Sequence, residues 1–201
     1  MEEQLPSATV TLQVLPESLH LFTTLLQSGI EIKANTAIEM GEFLCQLPGF
    51  TPDYIHATVE TIFLNGTPVD DVTLRFTGDA PVLALSAAMP GLAGAIFRKN
   101  SIHSALRTQT TTQESAGDNT RAITVTLKLF NSIAKERGPF LLEAGITIEA
   151  PKVLTFLQQR TGLCDHITDI HLNNEVVNVA TLLGNLSEFQ TIYFKVKNSH
   201  G

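Results

Sequence analysis

The chain has 201 residues, of which 43% are hydrophobic, and its formal net charge at pH 7 is -7. This composition predicts a folded protein, and the acidic balance argues against a general nucleic-acid binder, because phosphate binding needs a basic surface. The two cysteines, Cys45 and Cys164, belong to no Cys-x-x-Cys motif or Cys/His cluster, so we expect neither a metal site nor a disulfide framework. Two scattered thiols and an acidic, polar start without signal-peptide features favour the cytoplasm.

Four short segments of the chain recur in the same order roughly 110 residues later, a period too long for a solenoid unit of ~20–50 residues. The matching segments are 9–12 with 124–127, 25–34 with 141–150, 43–46 with 156–159, and 62–65 with 170–173. We therefore predict two copies of one small domain, so that each copy tests the interpretation of the other.

The first copy opens with two predicted strands, over residues 10–15 and 30–33, where apolar and polar side chains alternate. They lie close enough in sequence to form a hairpin. Thr36 and Glu39 have the spacing of a capping box, which predicts a helix from this point to about Leu47. Its apolar positions, which we expect in the core, are Ile38, Met40, Phe43, Leu44 and Leu47.

Further strands are predicted over residues 62–64, with an Asn65-Gly66 turn after them, and over 72–76. A last strand over 82–85 has so few polar residues that we expect it to be central and buried on both faces.

The second copy repeats this order. Strands are predicted over residues 123–130, 146–149, 170–172 and 191–196, and Pro151 suits the first turn of a helix that contains Phe156. Strand, strand, helix, strand and final strand is the order of the β-grasp arrangement, in which the first and last strands pair in parallel at the centre of a mixed sheet. We therefore predict an α+β protein of two tandem β-grasp (ubiquitin-like) domains, each with one helix packed on its sheet.

The predicted domains cover residues 8–88 and 122–198, with a connecting helix and a polar linker over 89–121. An apolar stripe predicts the helix over 92–107, and the following Thr/Gln/Ser-rich stretch has no periodicity, as in a flexible linker. Residues 80–97 carry no charge, but they contain Pro81, Pro90 and several glycines and alanines, so we expect no membrane span there.

Three motifs resemble a known group. Residues 127–138 are similar to the first strand and following helical turn of the molybdopterin synthase small subunit. Residues 62–71 look like the V-x-V-N-G-x-x-V strand and turn of that subunit and of the thiamine sulfur carrier, and residues 78–85 resemble their D-G-D-x-V-x-L entry into the last strand. The chain thus resembles the β-grasp sulfur-carrier superfamily over both copies.

In that superfamily the chemistry resides in a flexible C-terminal Gly-Gly tail, which is adenylated and converted to a thiocarboxylate. Here His200 precedes the last residue, Gly201, and the corresponding segment of the first copy, with Gly91 and Gly94, is internal. We therefore expect a non-enzymatic protein-binding module without a cofactor. The alternatives are a sulfur carrier in molybdopterin- or thiamine-type transfer, with Gly201 as its terminus or with processing near Gly91 or Gly94, and an enzyme with a cleft between its domains.

A basic group in this acidic chain, made of Arg98, Lys99, His103 and Arg107, is the candidate partner-binding site. The resemblance implies an adenylating or molybdenum-cofactor enzyme as the partner, with no nucleic acid and no membrane. No catalytic or metal-binding residues are predicted, because Cys164 and His166 are sequence neighbours that rarely point together and Cys45 fits a small buried hydrophobe.

Overall fold

The computed structural model describes residues 7–88, 91–99, 101–102 and 120–199. They form mixed α+β structure in two compact units. One, here the central unit, is drawn from the described residues within Glu31–Arg137, and the other, here the two-segment unit, from those within Met1–Ile30 and Gly138–Gly201.

The sheet of the central unit is mixed and has the strand order β4-β3-β5-β6-β2. Its central strands β5 and β6 are parallel, whereas β3 is antiparallel to both β4 and β5. The strands are β2 (Ile30–Asn35), β3 (Thr61–Leu64), β4 (Thr67–Val69), β5 (Val82–Ser86) and β6 (Ala122–Leu129), and the helices are α1 (Met40–Cys45), α2 (Pro52–Thr58), α3 (Gly91–Phe97) and the start of α4 (Asn131–Ala144).

The strands of the two-segment unit follow the order β7-β10-β1-β8-β9 and are likewise of mixed orientation. Here β1 and β10 are the parallel central pair, and β7 and β8 flank them in antiparallel orientation. The strands are β1 (Ala8–Val14), β7 (Ile146–Glu149), β8 (Ile167–Leu172), β9 (Glu175–Val176) and β10 (Thr191–Asn198), and the helices are α5 (Ala150–Gln158), α6 (Val179–Leu186) and two 3₁₀ helices (Leu19–Ser28 and Thr161–His166).

Alternation along the strands explains which faces are buried, because successive side chains of a strand point to opposite sides of the sheet. Val10, Leu12 and Val14 of β1 are fully buried, and so are Leu127 and Leu129 of β6. The predicted positions of the first-copy helix, together with Phe156, are also buried. Strand β5 is central, as predicted, but the expectation that both of its faces are buried is wrong, since Leu83 and Leu85 are buried and Val82 and Ala84 are only half-buried. Asn65 and Gly66 form the predicted turn with positive φ angles.

The predicted hairpin between the first two strands is wrong. Both edges of β1 are occupied by strands of the second copy, β10 on one side and β8 on the other. In the same way β6, the first strand of the second copy, pairs in parallel with β5, the last strand of the first. The expected parallel pairing of a first and a last strand is present, but it joins the two copies.

The likeness of the copies gives a physical reason for this exchange. Residues 9–12 and 124–127 are both Thr-Val-Thr-Leu, so either first strand offers the same alternating apolar face. The compact units consequently differ in extent from the predicted 8–88 and 122–198, and part of the segment 89–121 lies within the central unit.

The capping box at Thr36 does not form, and α1 begins at Met40 with Glu39 in the N-cap position. The amides of Met40 and Gly41 donate instead to the carbonyls of Leu74 and Val72, at 2.9 and 2.8 Å. The predicted strand over 72–76 is therefore mostly irregular chain that satisfies the free amides at the start of α1. It keeps a single bridge, between Arg75 and Glu39.

The predicted helix over 92–107 is shorter in the described residues, since α3 ends at Phe97. The Lys99 amide leaves the helical pattern and donates to the Glu60 carbonyl at 2.6 Å, and the Ser101 hydroxyl donates back to the Ala95 carbonyl. Residues 103–107 of that prediction lie outside the described part of the chain. No helix among the described residues is long and apolar enough to cross a membrane.

Candidate functional site on the open face of the central sheet

A row of three side chains crosses the middle of the central unit's sheet. Phe63 on β3 is paired with Ala84 on β5, and Ala84 with Lys128 on β6. The next residues along these strands, such as Leu85 and Leu129, are buried on the core side. Because strand side chains alternate, Phe63, Ala84 and Lys128 share the other, open face of the sheet.

This open face contains a groove of about 500 Å³, and the groove is predominantly apolar. Ligand pockets in proteins usually measure roughly 300–1,000 Å³, so the groove has the size of a ligand site. Its walls include Phe63, Val82, Ala84, Ser86, Lys128 and Phe130.

One end of the groove is polar and is formed by Ser86 and Asn131. This residue follows β6 directly and has a φ of 54°, a left-handed conformation that asparagine tolerates better than most residues. The turn brings its side-chain amide to the nearly buried Ser86, and Asn131 Nδ2 donates to Ser86 Oγ at 2.8 Å. Two polar groups of fixed position thus border an apolar surface.

Lys128 is the cation of the groove. Among the described residues, the ion pairs join Arg98 to Glu60, Arg121 to Asp79 and Lys152 to Glu149, and none includes Lys128. Lys128, a half-buried residue, therefore forms no ion pair with a carboxylate in the described part of the chain.

Helix α3 and the turn after it flank the groove, since the Phe97 ring lies 5.4 Å from that of Phe63, centroid to centroid. Two large apolar side chains of this segment are strongly exposed, Leu92 at 73% and Ile102 at 91%. Both residues lie within the range of the predicted helix over 92–107.

Two of the four predicted partner-binding residues, Arg98 and Lys99, lie in the described part of the chain, and they have separate contacts. Arg98 Nη2 lies 2.8 Å from Glu60 Oε1, and Lys99 Nζ donates to the Ile55 carbonyl at 3.3 Å. Burial lowers the pKa of Lys99, while the nearby carboxylates of Asp70 and Glu60 act in the opposite direction. His103 and Arg107 of the predicted group lie outside the described residues, as does Gly201.

The internal glycine segment is not extended where it is described. Gly91 starts α3 with a φ of 76°, and Gly94 is buried within that helix. A carrier tail must thread a channel as a thin extended chain, so this segment does not have the conformation of such a tail.

The two cysteines differ in their surroundings. Cys45 is exposed, which corrects the expectation of a buried side chain, because it lies at the end of α1. Burial and the neighbouring Asp165 raise the pKa of Cys164, whereas a reactive cysteine needs a lowered one. His166 Nδ1 lies 3.0 Å from Ser18 Oγ, but Ser18 is buried. The described residues contain no cluster suited to a metal ion.

A second polar cluster, not predicted from the sequence, joins α2 to α4. Tyr54 Oη donates to Glu136 Oε2 at 2.9 Å, and the Arg137 guanidinium lies 3.5 Å from the centre of the Tyr54 ring. Burial and then Glu136 raise the pKa of Tyr54 to about 12. The tyrosine is thus held neutral as a hydrogen-bond donor, which points to a structural role.

No protein-family model, curated protein or solved structure matches the chain.

Proposed function

We propose that the chain is a non-enzymatic, cytoplasmic protein-binding module related to the β-grasp sulfur carriers. In both units a mixed sheet surrounds a central parallel pair of strands, and a helix follows β2 and β7 within a few residues. This order supports a β-grasp sheet in each unit, with the two first strands exchanged between the copies.

The observation that carries the binding function is the exposure of Leu92 and Ile102 in one short segment. A contiguous apolar patch on a folded surface is typical of a contact with another protein, and we propose that Leu92 and Ile102 belong to one such patch. Arg98 lies between them in sequence, and its side chain is 60% exposed while it bonds to Glu60. An apolar contact with a cation beside it favours a partner surface that is apolar at its centre and acidic at its edge.

The partner class that we propose follows from the resemblance and is an adenylating or molybdenum-cofactor enzyme. The competing hypothesis, a sulfur carrier, needs an extended glycine tail. Because Gly91–Phe97 is helical, the segment around Gly91 and Gly94 does not support the sulfur-carrier hypothesis.

The test is affinity capture from the native organism with three forms of the full chain. The wild type should retain a defined partner, and a Leu92→Ser, Ile102→Ser double variant should lose most of it. The matched control is Val176→Ser, because Val176 is also strongly exposed, at 70%, but lies in the two-segment unit. Equal capture by the wild type and the double variant would show that Leu92 and Ile102 do not form the partner-binding surface.

The same experiment addresses sulfur carriage. Intact-mass analysis after incubation with the captured enzyme, ATP and a sulfur donor should show an unmodified chain. A thiocarboxylate on the wild type would replace the module hypothesis with the carrier hypothesis.

A further inference from the structure

We propose that the groove on the open face of the central sheet binds a small apolar molecule that carries a single carboxylate. This inference goes beyond the proposed protein-binding function, which rests on the exposed side chains of α3 and the turn after it.

The shape of the groove favours a small molecule. Its volume of about 500 Å³ is within the range of ligand pockets, and its walls are mostly apolar. A stable protein interface covers about 800 Å² on each partner, which is far more than one groove between Phe63 and Phe130 provides. A single aliphatic or aromatic chain would bury its apolar surface against Phe63, Val82 and Ala84, and the hydrophobic effect would drive its binding.

The charge in the groove favours an acid over a neutral ligand. Lys128 lies in the same cross-strand row as Phe63 and Ala84, and it has no carboxylate partner in the described part of the chain. A cation beside apolar walls attracts one carboxylate strongly, because water screens the pair less there than at an open surface.

Ser86 supplies a second donor. Its oxygen already accepts from Asn131 Nδ2, and its own proton is used in no hydrogen bond that the described residues contain. The hydroxyl can therefore donate to a carboxylate oxygen. One ligand carboxylate could then accept from both Lys128 and Ser86 while its apolar part lies along Phe63 and Val82.

The probes are decanoate and decanol, which share an alkyl chain and differ in charge. They are titrated into the full-length protein below the micelle concentration of decanoate and below the solubility limit of decanol. Calorimetry should show decanoate binding at one site, at least tenfold tighter than decanol. Amide and ring signals of Phe63 and Phe130 should shift in nuclear magnetic resonance spectra, which would locate the site.

Three variants test the assignment. Lys128→Met keeps an unbranched side chain of similar length and removes the charge, so it should weaken decanoate at least tenfold and leave decanol unchanged. Lys195→Met is the matched control, a half-buried lysine on β10 of the other unit, and it should bind decanoate like the wild type. Ala84→Phe fills the middle of the groove and should abolish the binding of both probes.

Equal affinities for decanoate and decanol, or full decanoate affinity in a folded Lys128→Met variant, would overturn the proposal. Circular dichroism of each variant shows whether it is folded, and the conservative Lys128→Met change decides the matter even if Ala84→Phe does not fold. No partner protein is present in these titrations. A negative result in these titrations therefore does not bear on the proposal that α3 and the turn after it bind a protein. A folded Leu92→Ser, Ile102→Ser variant should still bind decanoate.

Discussion

The ring of Tyr193 occupies the space in which a side chain on Gly145 would begin. A Cβ atom added at Gly145 would come closer than 3.0 Å to three atoms of that ring. The Tyr193 hydroxyl also donates to the carbonyl of Ala144 at 2.7 Å, so the ring is fixed against the turn between α4 and β7. Gly145 itself has a φ of 101°, where residues with a side chain are strained.

We expect Gly145→Ala to destabilise the protein by about 2 kcal/mol or more, because it adds a steric clash to an unfavourable backbone angle. Urea unfolding measures the loss. Gly162→Ala is the control, since a Cβ there meets nothing within 4 Å, and it should change the free energy of unfolding little. Tyr193→Ala combined with Gly145→Ala should recover the part of the loss due to the clash. A Gly145→Ala protein as stable as the wild type would contradict this packing.

We expect Phe43→Ala and Phe156→Ala each to cost roughly 3–5 kcal/mol, the usual loss for a large side chain removed from a core. Phe43 is 1% exposed with its ring 5.0 Å from that of Phe76, and Phe156 is 5% exposed with its ring 6.2 Å from that of Phe22. Chemical denaturation provides the measurement. The half-exposed Phe140 offers a matched change, and Phe140→Ala should cost clearly less. A loss of stability below about 1 kcal/mol at Phe43 or Phe156 would show that this residue is not packed in the core.

We expect a fragment of residues 31–137 to unfold cooperatively on its own, whereas a fragment of 138–198 should not fold. The first fragment contains all the strands of the central unit and lacks only Ile30, the first residue of β2. The second fragment lacks both β1 and the similar strand β6, so no strand can fill the place between β10 and β8. Thermal melts of the two fragments provide the comparison. A cooperative transition in the fragment 138–198 would show that the sheet of this unit forms without a first strand.

We expect Tyr54→Phe to lower stability by about 1 kcal/mol, the usual worth of one hydrogen bond. Since the folded pKa of Tyr54 is raised to about 12 from an ordinary value of ~10, the folded state holds this proton more tightly than the unfolded state does. The resulting stability is complete below pH ~10 and is lost as the pH rises to about 12.

The pH dependence of Tyr54 can be measured through the ultraviolet absorbance of tyrosinate. The wild type should show an ionisation step near pH 12 that is missing in Tyr54→Phe. If both wild-type tyrosines instead ionise near pH ~10, with no step near pH 12, the Tyr54–Glu136 hydrogen bond does not persist in solution.

Local patterns in the sequence predicted most of the strands and the buried residues of the helices. The alternation in 10–15 and 123–130 and the Asn65-Gly66 turn are short-range signals, and the structure contains the corresponding elements. The capping box failed for a long-range reason, since its role is taken by the carbonyls of Leu74 and Val72. A local sequence pattern does not predict which distant carbonyls will accept hydrogen bonds from the first amides of a helix.

The pairing of the strands could not be predicted for the same reason. Two nearly identical first strands fit two similar positions, and the sequence near either strand does not specify which position it takes. The groove also escaped prediction, because it needs Phe63, Ala84 and Lys128 side by side, and the chain brings these residues together only through the parallel pairing of β5 and β6.

The pairing of β1 with β10 has a consequence for the synthesis of the protein. The two strands are separated by almost the whole chain, and ribosomes add ~5–20 residues per second. The first strand must therefore wait on the order of 10 s or more for its neighbours, with Val10, Leu12 and Val14 uncovered. The central unit can close before then. During translation the new chain thus contains a folded central unit and an unpaired β1, whose free backbone groups and apolar side chains favour aggregation. A chaperone would be needed most in this state.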